Sequence, residues 1–382
     1  MKIALLTPGG VDRSGRFRVI PVFLWLIERL ARDGHEVHVF VPRQEPEPGR
    51  WDLLGATVHN AGRRPHGPHL LWQIAEEHRR GAFDVIHALW ADGPGVLGAI
   101  AARLLRVPMV LSLPGGDVAD HREIAYGGRS TVRGRLAVRF AVAAAAAVNT
   151  PSGWMADLAA KAGIRAQAIV LGVALDRWPP SAPRERRAGE PIRLLHVANL
   201  NRVKDQSTLL SAMAMLKQRG VPFTLEIAGF DALAGKVQRL AAELGLQAEV
   251  AFLGFIPHDQ LRPLFDRADV LVVSSIHEAG PLVTLEAAIA GLPTIGTEVG
   301  HIADFAPEAA VCVPVGDASA LADAVEQVAG DESRRLRIAA AAQDRALRLD
   351  ADYTCRAVLR VYREVARPRT ARSSEAEISS RV

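Results

Sequence analysis

Ser274-Ser275-Ile276-His277-Glu278-Ala279-Gly280-Pro281-Leu282-Val283-Thr284-Leu285-Glu286-Ala287 decides how this 382-residue chain is read. The run before it, Ala268-Asp269-Val270-Leu271-Val272-Val273, has the length and apolar content of a buried strand. Gly280-Pro281 then breaks the strand and opens a helix, with proline near its first turn. This puts Glu278 on the loop at the strand's carboxyl end and Glu286 one to two turns into the helix. A helix N-terminus offers free N–H groups and partial positive charge, which suits a phosphate. A carboxylate on each side of such an anion site is placed to grip hydroxyls flanking a diphosphate. Two solvated glutamates beside a turn are the plainer alternative.

Working outward, short apolar strands alternate with helical stretches. Strands are expected at Lys2–Leu6, Glu36–Phe40, Val85–His87, Met109–Leu111 and Ala146–Val148, with helices near 20–32, 70–80, 95–105 and 152–162. Such alternation means parallel βαβ units in a doubly wound sheet. Trp178-Pro179-Pro180-Ser181-Ala182-Pro183 and the charged residues after it read as a linker. Alternation restarts at Ile192–Val197 and continues through strands at 224–228, 250–253, 270–273, 294–295 and 311–313. Helical spacing closes the chain at 321–328, 334–347 and 353–366. The fold class is therefore α/β, with two architecturally similar halves and no sequence repeat.

Apolar residues make up 49% of the chain, enough for two large cores. Charge is uneven: residues 1–190 carry 25 Lys and Arg against 18 Asp and Glu, and residues 191–382 carry 21 against 24. A basic first half points to an anionic partner, a membrane surface or a phosphorylated acceptor. The pairs Arg63-Arg64 and Arg79-Arg80, with Arg133, Arg135 and Arg139, are the candidate contacts. Cys312 and Cys355 lack metal-ligand spacing and are too few for a disulfide framework, so a reducing cytoplasm is expected. The apolar start is too short for a signal peptide, and Ala141–Val148 is too short for a membrane span.

Ligands of doubly wound sheets bind beyond the carboxyl ends of strands, and several loops there are unusual. Asn199-Leu200-Asn201-Arg202-Val203-Lys204-Asp205 contains one of only five lysines in a chain with 41 arginines. Lysine is a compact charge suited to phosphate, and Arg202 adds a second cation; a solvated helix start capped by Asp205 explains the cluster equally well. Pro8-Gly9-Gly10-Val11-Asp12-Arg13-Ser14-Gly15 lacks dinucleotide-fingerprint spacing but lets a ligand approach the backbone at Gly9, Gly10 and Gly15. After Leu113-Pro114-Gly115-Gly116, Asp117 and His121 are placed to touch a hydroxyl, unless Asp117 merely caps a turn. Gly229 and Gly254 end strands on the side of Glu278 and permit close contact with a base or phosphate. Zinc-protease, Walker and nucleophile-elbow motifs are absent.

These residues resemble the family-4 retaining glycosyltransferases of the GT-B fold over nearly the whole chain, most strongly from Ile192 to Glu326. The signature is Glu-x7-Glu, here Glu278 and Glu286 around Pro281-Leu282-Val283, followed by Glu286-Ala-Ala-Ile-Ala-Gly-Leu-Pro293. Gly34-His35-Glu36-Val37, Leu171-Gly172-Val173 and Gly300-His301-Ile302-Ala303-Asp304 fit as well. The resemblance implies two Rossmann-like domains facing a cleft. They would be an acceptor-side domain at 1–177, a linker at 178–190 and a nucleotide-sugar domain at 191–350. A helix at 351–367 would cross back to the first domain, followed by a frayed tail at 368–382. It also implies roles. Lys204, with Arg202, would hold the donor diphosphate, and Glu286 the ribose hydroxyls. Glu278 would meet the donor sugar, and Gly280, Pro281, Leu282 and Val283 the sugar or phosphate. Asn199 stands where the family usually carries arginine, Pro114-Gly115 where it often carries His-Gly, and His301 where it carries a second glycine. The expected activity is retaining sugar transfer from a nucleoside-diphosphate sugar to an acceptor hydroxyl, with no metal and no cofactor. The acceptor would be a glycan, a lipid-linked molecule or a small molecule, and nucleic acid is not an expected partner. Polysaccharide or glycoconjugate synthesis in the cytoplasm, at the inner membrane face if the basic half meets lipid, is the matching setting. A nucleotide-sugar epimerase of the same fold and a non-catalytic sugar-nucleotide-binding relative are the alternatives.

Overall fold

Strands that are apolar on both faces need helices on both faces, and in the computed structural model this chain supplies them. The structure describes residues 1–63, 66–187 and 189–366. Arg64, Ala188, Arg367 and the expected tail at 368–382 lie outside the described residues.

The first sheet is built from β1 (Lys2–Leu6), β2 (Glu36–Val41), β3 (Gly49–Leu53), β4 (Ala56–Asn60), β5 (Val85–Leu89), β6 (Met109–Ser112), β7 (Ala147–Thr150) and β8 (Gln167–Ala168). Its order is β3-β4-β2-β1-β5-β6-β7-β8, parallel except for the β3–β4 pair. Its helices are α1 (Pro21–Arg32), α2 (His66–Arg80), α3 (Gly93–Leu105), α4 (Val132–Ala144) and α5 (Gly153–Lys161). The second sheet runs β11-β10-β9-β12-β13-β14, all parallel. In chain order its elements are β9 (Ile192–Val197), α6 (Gln206–Gln218), β10 (Phe223–Ala228), α7 (Lys236–Glu243), β11 (Val250–Gly254), α8 (Arg262–Arg267), β12 (Val270–Val273), α9 (Leu282–Ile289), β13 (Thr294–Thr297), α10 (Gly300–Phe305) and β14 (Val311–Val313). They end with α11 (Ala318–Gly330), α12 (Glu332–Arg348) and α13 (Ala351–Ala366). Two Rossmann-like α/β units is the expected architecture.

The β3–β4 hairpin, the short β8 and helix α4 escape the sequence reading. The β3–β4 hairpin turns on Leu54-Gly55, both at positive φ (51° and 81°), the geometry of a primed turn but with leucine where glycine or asparagine is usual. Helix α4 is masked by its glycine and valines; it starts because Thr131 Oγ1 accepts from Gly134 N at 3.0 Å.

The halves are joined through packing and through the chain. One core cluster mixes Phe23, Trp25 and Leu89 of the first half with Leu285, Ile289 and Phe305 of the second. Asp304 on α10 accepts from Gly153 N (2.7 Å) and Trp154 N (2.8 Å), so a carboxylate of the second unit caps helix α5 of the first. Ser152 Oγ donates to the Ala279 carbonyl. The linker is docked on the second unit: Ser181 N donates to Ile289 O (3.0 Å), Arg262 reaches Ser181 Oγ (2.6 Å) and Arg335 reaches the Arg184 carbonyl (2.5 Å). Pro179–Pro183 is thus fastened to the second unit. Helix α13 crosses back, burying Cys355, Val358, Leu359 and Tyr362 against α1 residues. Arg29 ties its start by contacts to Asp352 (2.6 Å) and Asp176 (2.9 Å).

The Tyr362 hydroxyl meets His87 Nδ1 at 2.6 Å, both groups fully buried, while His87 Nε2 meets Ser112 Oγ at 2.8 Å. Tyr362→Phe strands a buried ring nitrogen and is expected to cost about 1–3 kcal/mol. Calorimetry should show a lower melting temperature than wild type, and an unchanged one would mean that α13 docks by apolar contact alone.

Candidate active site

The carboxyl ends of β9, β10, β11 and β12 open on a cleft of about 700 Å³ between the units. The second unit lines it with Val197, Ala198 and Asn199 after β9, Gly229 after β10, Phe255 and Ile256 after β11, and Gly280, Leu282, Val283 and Glu286 around the start of α9. The first unit contributes Arg16, Arg18, Trp90, Pro114 and the start of α1.

Lys204 ends a short 3-10 turn whose entry is fixed by Asn201 Oδ1 accepting from Lys204 N at 3.2 Å. Its Nζ meets Glu278 Oε1 at 2.5 Å, and Ser275 Oγ donates to the same oxygen at 2.6 Å. Ser274 Oγ donates to Lys204 O (2.8 Å), and Ile276 N to Val203 O (2.8 Å). The β9–α6 and β12–α9 loops are thus stitched into one wall, with Lys204 and Gly280-Leu282 on the same cavity. Pro281 occupies the cap position of α9 and offers no side-chain cap, so the helix's first N–H groups keep their capacity to donate. Gly280 is required: a Cβ there would come within 2.8 Å of Pro151 Cβ and 3.0 Å of His301 Nε2. At Gly229 a Cβ would meet the Ala198 carbonyl at 1.9 Å.

Glu286 is 3% exposed and meets His258 Nε2 at 2.5 Å. The His258 ring lies 5.5 Å from Trp25 and 5.4 Å from Trp178, and Trp178 Nε1 donates to the Glu286 carbonyl at 2.9 Å. Burial pulls the His258 pKa down, but the bond and charge of Glu286 outweigh it, and the net shift is upward. His277 and His301 are buried, and burial lowers each to about 4, so both are neutral.

Several expected residues stand elsewhere. Arg202 is exposed and lines a separate depression with Asn201, Asp205 and Lys236, because the 3-10 turn points it away from Lys204. Asp205 caps α6, accepting from Thr208 N at 3.3 Å. Gly254 stops one residue short of the cleft; its carbonyl accepts from Gly229 N at 2.8 Å. Gly9, Gly10 and Gly15 do not line the cleft. Gly10, at φ 86°, serves the turn, where a Cβ would collide with Ile20 at 2.7 Å. The same loop instead sends Arg16 and Arg18 to the cleft; Arg16 also reaches Asp259 at 2.9 Å. Asp117 faces inward, accepting from Ala91 N (2.7 Å) and Gly115 N (3.4 Å), and burial pushes it up to about 7. His121 packs on Tyr126 and His277 outside the cleft lining. Arg16, Arg18, Trp90 and His258 are the cleft residues that sequence reasoning misses. The signal for His258 was its place just after Gly254-Phe255; nothing local marks the two arginines.

The family profile described as "Glycosyl transferases group 1" matches residues 181–345, and "Glycosyl transferase 4-like domain" matches residues 19–174. A D-inositol 3-phosphate glycosyltransferase of Corynebacterium urealyticum is 28% identical over 53% of this chain and 51% of that protein, so the match spans about half of that relative. The Frankia alni protein of the same name is 29% identical over 76% of each chain. Sucrose-phosphate synthase from Thermosynechococcus elongatus superposes with a TM-score of 0.78 at 21% identity, covering 95% of this chain and 98% of that one. Anabaena HepE in complex with UDP-glucose gives 0.73 at 20% identity, covering 95% and 100%. At these identities the structural likenesses establish the fold.

The His258–Glu286 pair makes stability depend on pH. His258 has a raised folded pKa, so its contribution is fully present below the unfolded value of 6.5 and is lost as pH rises through the folded pKa. His258→Gln should therefore lower the melting temperature relative to wild type at pH 5.5 and much less at pH 8.5. A deficit that grew with pH would refute the pairing.

Proposed function

Because the chain belongs to the group 1 glycosyl transferases, with the GT-B fold, we propose that it moves a sugar from a nucleoside-diphosphate sugar to an acceptor hydroxyl, with retention at the anomeric carbon. The observation that carries this reading is the common wall on which Lys204, the start of α9 and Glu286 face one cavity. The bond from the anomeric carbon to the diphosphate oxygen breaks and a bond to the acceptor oxygen forms on the same face. The acceptor proton passes to the departing phosphate. Negative charge grows on that phosphate, and Lys204 and the α9 N–H groups stand ready to stabilise it before it forms. Arg16 and Arg18 line the cleft from the other unit, each already ion-paired, to Asp259 and Asp12. Glu286 takes the ribose hydroxyls and Glu278 the donor sugar. The nucleotide sugar is a substrate, and the reading assigns neither cofactor nor metal. The epimerase and non-catalytic alternatives are not favoured, since the relatives named above are glycosyl-transferring enzymes.

We also place the first unit against an anionic membrane surface. Among the described residues no helix is long and apolar enough to cross a membrane. Helix α4 nevertheless exposes Val132 and Leu136, flanked by Arg133 and Arg139, which have no ion-pair partner among the described residues, the pattern of an interfacial helix. Arg79 and Arg80 are excluded from this role, because Glu76 and Glu77 engage them.

UDP-, GDP- and ADP-sugars should be compared by thermal shift. The nucleotide that stabilises wild type should give no shift with Glu286→Ala, and a retained shift would reject the donor-site assignment. Lys204→Ala should cut kcat by roughly 10²–10³. Vesicles containing phosphatidylglycerol should sediment the protein at low salt and release it at high salt; no sedimentation at low salt would reject the membrane contact.

A further inference from the structure

A second hollow, of about 570 Å³, lies at the carboxyl edge of the first sheet, where β1 and β2 end and α2, α3 and α4 begin. A stretch of its wall is apolar: Leu6, Phe40, Leu70, Val96, Leu97 and Ala137. Against that apolar stretch a sugar would leave hydroxyls without partners, which is costly, whereas a hydrocarbon would not; Thr7, His66, Asp92, Thr131 and Arg133 supply polar groups elsewhere in the lining. Arg133 has no ion-pair partner among the described residues, and Asp92, at the cap position of α3, makes no side-chain cap bond. Arg133 gives the rim of this hollow a cation that an anionic group would complement. The exposed Val132 and Leu136 lie on another face of α4, beside a separate depression lined by Arg135 and Arg139.

This hollow and the cleft share a wall. Trp90 lines the cleft and Asp92 lines the hollow. Two residues apart on one loop, their Cα atoms are separated by at most about 7 Å. Trp90 has φ 75°, a left-handed conformation that a bulky residue seldom adopts. It is held there by its N–H on the Ser112 carbonyl (2.9 Å) and by an edge contact with Phe23 at 5.4 Å. A strained residue fixed between two cavities is a frequent mark of a ligand-facing position.

We propose that the acceptor is an anionic amphiphile, a lipid phosphate bearing a hydroxylated headgroup. Its hydrocarbon chain enters this hollow, its phosphate meets Arg133 and its hydroxyl passes Trp90 into the cleft. The proposal rests on the sugar-transfer reading for the hydroxyl only; chain binding is testable without donor or turnover.

Calorimetric titration with dodecyl phosphate, hexyl phosphate, inorganic phosphate and dodecyl maltoside, each below its critical micelle concentration, separates the sources. Dodecyl phosphate should bind most tightly and inorganic phosphate not detectably. Ala137→Trp, which fills the hollow, should weaken dodecyl phosphate roughly tenfold or more. Arg133→Ala should weaken dodecyl phosphate but leave dodecyl maltoside unchanged. Both variants should keep the wild-type melting temperature and nucleotide-sugar thermal shift, so a failed donor site in Glu286→Ala remains a separate result. Wild-type affinity of Ala137→Trp for dodecyl phosphate would show surface partitioning and overturn the proposal. Equal binding of inorganic phosphate, or no dependence on chain length, would overturn it too.

Discussion

Two carboxylates leave one strand–helix junction, and each is pressed against a basic group: Glu278 on Lys204, and Glu286 on His258, whose pKa it raises. Taking a carboxylate out of water is expensive unless a partner accompanies it. Within the cleft the paired basic groups offset that cost. In the proposed reaction a diphosphate beside Lys204 would bring its own negative charge and compete with Glu278 for the ammonium, which would free Glu278 to accept hydroxyls. The cation would already be in place as charge developed on the leaving group, leaving little reorganisation for the transition state. The loops that hold this arrangement are tied by backbone and hydroxyl bonds, Ser274 to Lys204 and Ile276 to Val203, rather than by the charges themselves.

The same junction is where the units meet. Ala279, next to Glu278, has its carbonyl bonded by Ser152 of the first unit, and Gly280 lies against Pro151. Asp304 caps α5 from the other side of the seam. His258 contacts Trp25 of the first unit and Trp178 of the linker. A change in the angle between the units would therefore disturb both carboxylate pairs at once. The linker is bonded to the second unit.

The donor half of the site is legible in sequence because it is nearly continuous: a buried strand, a Gly-Pro break and a helix place Glu278, Gly280 and Glu286 by local rules. Lys204 joins through its position after β9, which the alternation of strands locates. Arg202 misleads for a local reason as well, since neighbours in a 3-10 turn point in different directions and spacing alone does not say which faces the cleft. Arg16, Arg18 and Trp90 come from the other unit, and their approach is set by packing across the seam. Glycines are the weakest guide: Gly9, Gly10 and Gly15 look like backbone left open for a ligand, yet Gly10 is there because Ile20 leaves no room for a side chain.

The wall between cleft and hollow shows how the first unit does without the His-Gly pair. Gly115 leaves space for the Trp90 indole, whose Nε1 would stand 2.5 Å from a Cβ at that position. Asp117 reaches back to the Ala91 amide and so clamps the β5–α3 loop to the loop after β6. Burial pushes that carboxyl up to about 7, and among the described residues its hydrogen-bond partners are the backbone amides of Ala91 and Gly115. It is thus a brace, and the residue it braces is the strained Trp90. Holding a tryptophan in a left-handed conformation costs of order 1–3 kcal/mol, a cost the fold bears only where the position of the ring matters. Here the ring stands between an apolar hollow and a charged cleft, where the proposed amphiphilic acceptor would have to pass.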